Sequence, residues 1–321
     1  MKTAHEILLY IAYNLSNQNQ HITVDTVLTN LEWIRHEKFD IDKEMAWLVD
    51  NGFLAAKDKR SFLLTEAGQN EAFQINEEKR REDFNQFMDR ATDSAAYLDY
   101  CEEVYGYRMY LFNMMDKAQL DHLFHSIRFD STDTVMDIGC GTGSILNQLT
   151  GRYHCRGVGI DQLKTKIVRK YNKTIEYLEG NIDTLADYRL APSTILSVDS
   201  LYFSCDLEQL ISTLKETKSR LYLYYSQYIF DEKQKDRTAL QKEHTRLAEI
   251  LQKNSMSYSA IEYSRNEYGL YENTLRVLPK FQSYFEREGN LEIYTMKMND
   301  ARGGQALYDK GLASRYLYIV E

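Results

Sequence analysis

The 321-residue chain has only two prolines and four cysteines, and its 39 lysines and arginines do not balance its 48 acids. With 43% hydrophobic and 27% charged residues, a proline-poor chain of this kind is a folded globular protein and not a disordered or extended one. Cys101, Cys140, Cys155 and Cys205 are far apart and form no CxxC pair, which argues against a structural metal and a disulfide framework; no metal is expected. The apolar run Ile7–Tyr13 breaks at Asn14, too short for a membrane span, and no small-residue cleavage site follows it. A cytoplasmic protein with no membrane partner is expected. The net charge of −9 repels phosphate backbones, which makes nucleic acid an unfavoured partner.

Tyrosine is abundant, with 25 in the chain. Most will pack in the core, but a cluster of them beside a cationic ligand would have a chemical use. The N-terminal region reads as three helices. Ile7, Leu8, Ile11, Ala12 and Leu15 share one helical face; Thr23 or Asp25 starts a second helix to Leu31; Asp40 or Asp42 starts a third that stops at Asn51-Gly52. Phe53–Ala55 and Ser61–Thr65 then form two short strands around a charged turn. The stretch LVDNGFLAAKDKRSFLLTEAG resembles the third helix and wing of the winged-helix family. That resemblance implies DNA binding, yet Asp40, Asp42, Glu44 and Asp50 outnumber Lys38 and Lys43 where a basic surface is required. A dimerisation or substrate-covering module is therefore preferred, and a homodimer through this region is the expected assembly.

Residues 70–95 are rich in charge and suit a connecting helix. The expected domains are a winged-helix-like α+β unit over 1–75, a helical linker and covering segment over 76–125, and an α/β domain over 126–321. Strands are expected at Thr134–Ile138, Gly157–Ile160, Ile175–Glu179, Thr194–Val198, Leu221–Tyr225, Leu291–Met298 and Arg315–Val320. Helices are expected over Ser144–Thr150, Leu163–Tyr171 and Leu207–Lys218, with a charged helical insertion near 231–275 that begins as Asp231–Gln252. The alternation indicates a doubly wound, mostly parallel sheet.

Val135-Met136-Asp137-Ile138-Gly139-Cys140-Gly141-Thr142-Gly143 follows a strand and opens a helix. Its glycines allow a sharp turn and close approach of a ligand to the backbone, and the D-x-G-x-G-x-G spacing differs from the dinucleotide fingerprint. Cys140 fills the turn as a small apolar side chain more naturally than it serves as a nucleophile. About twenty residues on, Asp161 ends the next strand, where a carboxylate can accept from a ribose diol.

These residues resemble motif I and the following strand of the class I S-adenosylmethionine-dependent methyltransferases, closely over 134–145. The resemblance implies a seven-stranded sheet ordered 3-2-1-4-5-7-6 with an antiparallel seventh strand. The last two strands are expected to be joined by a short loop carrying Arg302-Gly303-Gly304, where Arg302 would meet an acceptor carboxylate. It also implies S-adenosyl-L-methionine as cofactor, held by Asp137, Gly139, Gly141, Gly143 and Asp161, with Asn181, Ile182 and Asp183 at the adenine. Tyr105, Tyr107 and Arg108 of the tyrosine-rich segment would close over its carboxylate or sulfonium.

Ser197–Ser204 lacks the two prolines of the D/N-P-P-Y/F motif and resembles the small-molecule branch instead. The expected acceptor is thus N or O of a metabolite. Asp199 and Tyr202 should face the transferred methyl, with Asp199 also near the cofactor, and His244 is a candidate to remove a proton; an inert surface histidine is the plainer reading of it, and Arg246 is equally ambiguous. Two other functions compete: a cofactor-sensing winged-helix transcription regulator, and a methyltransferase of RNA or protein.

Overall fold

The computed structural model describes residues 3–17, 21–34, 40–127, 130–162, 174–188, 190–229 and 235–321. The chain forms two compact units, Met1–Phe87 and Met88–Glu321. In the first, helices α1 (Ala4–Asn17), α2 (Val24–Ile34) and α3 (Ile41–Asp50) accompany short strands β1 (Ile22–Thr23), β2 (Leu54–Ala56) and β3 (Ser61–Leu64), paired in the order β1-β3-β2. Local chemistry sets its corners. Asp40 caps α3 by accepting from the Lys43 amide, and Gly52 turns the chain at φ +79° while Thr65 Oγ1 donates to its carbonyl at 2.6 Å. Leu8, Ile11, Met45, Leu48 and Leu54 make the core.

A long helix, α4 (Glu66–Thr92), is followed by α5 (Ala95–Tyr105) and α6 (Lys117–Ser126). The sheet of the second unit then builds from β4 (Thr134–Ile138), β5 (Arg156–Asp161), β6 (Ile175–Glu179), β7 (Thr194–Val198), β8 (Arg220–Tyr228), β9 (Tyr258–Glu262) and β10 (Ala313–Val320). Its order is β6-β5-β4-β7-β8-β10-β9, with β4 to β8 parallel and β10 antiparallel to both neighbours. Helices α7 (Ser144–Tyr153) and α8 (Leu207–Glu216) cover the sheet, as does α9 (Arg246–Lys253). The order reverses at β4/β7, so the crevice at the carboxyl ends of these strands is where a doubly wound sheet receives its ligand. The helix expected over Leu163–Tyr171, and Asp231 at the start of the insertion, lie outside the described residues.

Two expectations about the C-terminal part need correction. Leu291–Met298 is not a strand but the start of helix α12 (Leu291–Asp309), and the sixth strand in chain order is Tyr258–Glu262, inside what was read as a helical insertion. The buried side chains here, Ile293, Met298, Ala301 and Gly304, follow a helical face. The last two strands are consequently joined not by a short loop but by α10 (Ser264–Val277), α11 (Gln282–Arg287) and α12. Gly304 is not a loop residue. It lets α12 approach α10, since a Cβ there would stand 2.2 Å from the Tyr271 ring. Arg302 lies exposed on α12.

Candidate functional site

The glycine loop hangs from β5 by its backbone. The amides of Gly139 and Cys140 both donate to the Ile160 carbonyl, at 2.7 and 3.1 Å, and Gly139, Gly141 and Gly143 all take left-handed φ, at +71°, +53° and +69°. At Gly139 a side chain is excluded by the protein itself, because a Cβ would stand 2.2 Å from Ser200 Cβ. At Gly141 the surroundings are open. Among the described residues, only Met88 Cε, at 3.8 Å, comes within contact distance of a Cβ placed there.

Asp161, at the end of β5, accepts from the Gly141 amide at 2.7 Å, so the carboxylate expected at a ribose and the loop expected at the cofactor meet directly. Asp137 is buried in β4 beside them. Burial first, and then the Asp161 charge, push its carboxyl well above the usual range. The sign of the consequence follows from linkage. A carboxyl whose folded value is raised contributes stability that is complete below the unfolded aspartate value of about 4 and is lost as pH rises toward the folded value. Asp137→Asn, neutral and isosteric, is therefore expected to gain on the wild type between about pH 4 and pH 8 in urea denaturation; a constant difference across that range would show that Asp137 does not carry this cost. Burial likewise pushes the Cys140 thiol well up, which suits a filler of the turn and not a nucleophile.

The segment after β6 differs from its expected use. Ile182 is buried in the core with Leu185, and Asn181 Oδ1 accepts from the Asp183 amide at 3.0 Å. Asp183 reaches across to the loop after β7, where its two oxygens accept from Ser204 Oγ at 2.5 Å and the Cys205 amide at 2.9 Å. Each carboxylate oxygen has two lone pairs, so an adenine amino group can still be accommodated, but Asp183 also ties the β6 and β7 loops together.

Tyr105 and Arg108 have their partners on α5, not on the glycine loop. Tyr105 is buried edge-on to Tyr100, and Arg108 pairs in solvent with Asp99 and Glu102. Tyr107 donates to Asp121. The part of this segment that does reach the glycine loop lies further on: Thr142 Oγ1 donates to the Tyr110 carbonyl at 3.3 Å.

Beyond β7, Asp199 adopts φ +55°, rare for a residue with a side chain. Its carboxylate accepts from both terminal nitrogens of Arg315, at 2.5 and 2.9 Å, and from the Met114 amide at 2.8 Å. Tyr202 has a partly exposed ring, but its hydroxyl turns inward, accepting from the Ser226 amide and lying 3.4 Å from Asp199. Burial, and then Asp199, keep that phenol protonated. His244 is exposed on the turn before α9, near Asp236, and that turn adjoins the end of β8 where Gln227 Oε1 accepts from the Arg246 amide at 3.1 Å.

Arg315 and Glu267 escaped the sequence reading. Arg315 is wholly buried, with Nε donating to Gln119 and one terminal nitrogen also donating to Ser226 Oγ at 2.9 Å. Burial alone would lower its basicity, but Asp199 and then Glu267 outweigh that and hold it charged. Glu267, equally buried, accepts from Ser226, Tyr228, Tyr271 and Tyr308. The available signal was a lone arginine in the apolar run ASRYLYIV, a charge that burial permits only with a partner.

A sheet of this order, with an antiparallel β10 and a glycine loop after its first central strand, decides the architecture. The chain has the class I methyltransferase fold. Solved structures with this fold include the phosphoethanolamine N-methyltransferase 2 of Haemonchus contortus, in complex with phosphomonomethylethanolamine and S-adenosylhomocysteine, at 12% identity and TM-score 0.57 over 90% of this chain and 74% of that one. The cyclopropane synthase MmaA2 of Mycobacterium tuberculosis aligns at 12% identity and TM-score 0.55 over 74% of this chain and 97% of that one. The family profile of methionine biosynthesis protein MetW matches residues 119–194, from α6 to β7. No curated protein matches the chain.

Proposed function

We propose that the chain is an S-adenosyl-L-methionine-dependent methyltransferase acting on N or O of a small metabolite. The observation that carries this reading is the contact between the Gly141 amide and Asp161, which joins the glycine loop to the ribose carboxylate at the switch point of the sheet. The residues fit the cofactor. The space above Gly141 admits a ligand close to the backbone, Asp161 supplies negative charge beside the buried Asp137 carboxyl, and Asn181 and Asp183 stand at the neighbouring β6 loop.

The bound cofactor supplies a methyl group activated by its sulfonium. The protein's part is alignment and exclusion of water. Arg315 and Met114 hold Asp199 at the acceptor side, and the Tyr202 hydroxyl is fixed beside it. His244 is the candidate to take up a proton at the outer rim. The proline-free Asp199-Ser200-Leu201-Tyr202 segment and the acidic net charge support a small acceptor. In a cytoplasmic protein, which the composition favours, the first unit serves as a winged-helix-like dimerisation module. Its three helices and short antiparallel sheet support that assignment, as do the acidic residues of α3 and the exposed apolar side chains Leu28, Trp47 and Leu63. No described helix is long and apolar enough to cross a membrane.

Calorimetric titration with S-adenosylhomocysteine tests the reading. Asp161→Ala is expected to weaken binding by about 1.5–3 kcal/mol, the scale of hydrogen bonds to a charged acceptor, while the melting temperature stays near that of the wild type. Equal affinities would place the ribose elsewhere, and a wild type that fails to bind at tens of micromolar would sink the cofactor assignment.

A further inference from the structure

Asp137, Gly159 and Tyr177 stand opposite one another on the parallel strands β4, β5 and β6, so they form one row on one face of the sheet. The middle position has no side chain, and a Cβ there would stand 2.8 Å from both the Tyr177 ring and Cys140 Sγ. The ring thus crosses β5 beneath the glycine loop. Its hydroxyl is buried and has no hydrogen-bond partner among the described residues. Such an orphan is unusual and costs stability, so it calls for a reason.

We propose that Tyr177 is a positioning residue of the cofactor site, whose hydroxyl becomes a hydrogen-bond donor to the Asp137 carboxylate when a cationic ligand lies on the glycine loop. The inference rests on the methyltransferase reading. A cation brought beside Asp137 favours the charged carboxylate, whose proton passes to solvent. The carboxylate then needs a donor, and the phenol in its own row has one to give. Among the described residues, the groups whose charges bear on this pair are Asp161 from β5, Cys140 from the glycine loop, and the two residues themselves; β7 contributes the apolar Leu196 to the same row. Burial, followed by Cys140 and Asp137, raises the phenol, so it stays a donor throughout the working range.

Tyr177→Phe keeps the ring and removes only the hydroxyl. Affinity for S-adenosyl-L-methionine, whose sulfonium is the cation, is measured by calorimetry without any methyl acceptor for variant and wild type from about pH 5.5 to pH 8.5, together with melting temperatures without ligand. The expected result is a variant that melts at or above the wild-type temperature yet binds about tenfold more weakly at the upper pH, with the gap closing toward the lower. Equal affinities at every pH overturn the proposal, as does a loss independent of pH, which signifies packing alone. A variant that melts below the wild type also overturns it, since the hydroxyl would then be partnered without ligand. A wild type that binds nothing would instead overturn the methyltransferase reading.

Discussion

Gly141→Val is expected to abolish S-adenosylhomocysteine binding while leaving the sheet intact. Gly141 sits at φ +53°, and a Cβ there meets nothing among the described residues closer than the Met88 methyl at 3.8 Å. The added methyl groups therefore project into the space the ligand needs. The left-handed backbone costs a β-branched residue on the order of 1–2 kcal/mol, too little to unfold a unit of this size. Binding has more to lose. The loop must either keep its turn and present the valine to the ligand or relax the turn and withdraw the amide that Asp161 accepts. Calorimetry and circular dichroism together check this: affinity within threefold of wild type would show that the loop is not the site. Gly139→Val makes a useful contrast, because its Cβ would collide with Ser200 and damage the fold itself.

The second large effect is expected at Arg315. Arg315→Met removes a wholly buried guanidinium that serves Asp199, Ser226 and Gln119 at once, leaving Asp199 and Glu267 without their cation. Breaking one side of a buried pair costs about 3–5 kcal/mol, chiefly through the charge left behind. Urea denaturation should show a loss of that size, and Asp199→Asn in the same chain should recover much of it. A loss under about 1 kcal/mol would mean that the network is dispensable. Because Asp199 also accepts from Met114, the single variant should loosen the segment between α5 and α6 that reaches the glycine loop through Tyr110. Weaker S-adenosylhomocysteine binding should accompany the loss of stability.

The arrangement changes the reading of Asp199. Its place after β7 suggested a group facing the transferred methyl, whereas its oxygens are committed to Arg315 and Met114. Held in that way, it is not free to take a proton. Asp183 shows the same limit. Its sequence position indicated the adenine, but not the second task of holding Ser204 and Cys205.

What the sequence determined by itself was local in origin. The strand, glycine turn and helix of 134–153, the carboxylate closing β5 and the cap at Asp40 each depend on residues a few positions apart, whose backbone preferences act before any long-range contact forms. The alternation indicated a parallel, doubly wound sheet, and its strand order came from the resemblance. Tertiary structure decided the rest. Residues 291–298 lie in a helix that packs on α10 where Gly304 meets Tyr271, a partner far away in the chain. Arg315, Glu267 and Tyr177 acquired their roles from side chains brought together from distant elements. A buried charge has to find its partner wherever the fold supplies one, and nothing in the spacing of residues along the chain names that partner in advance.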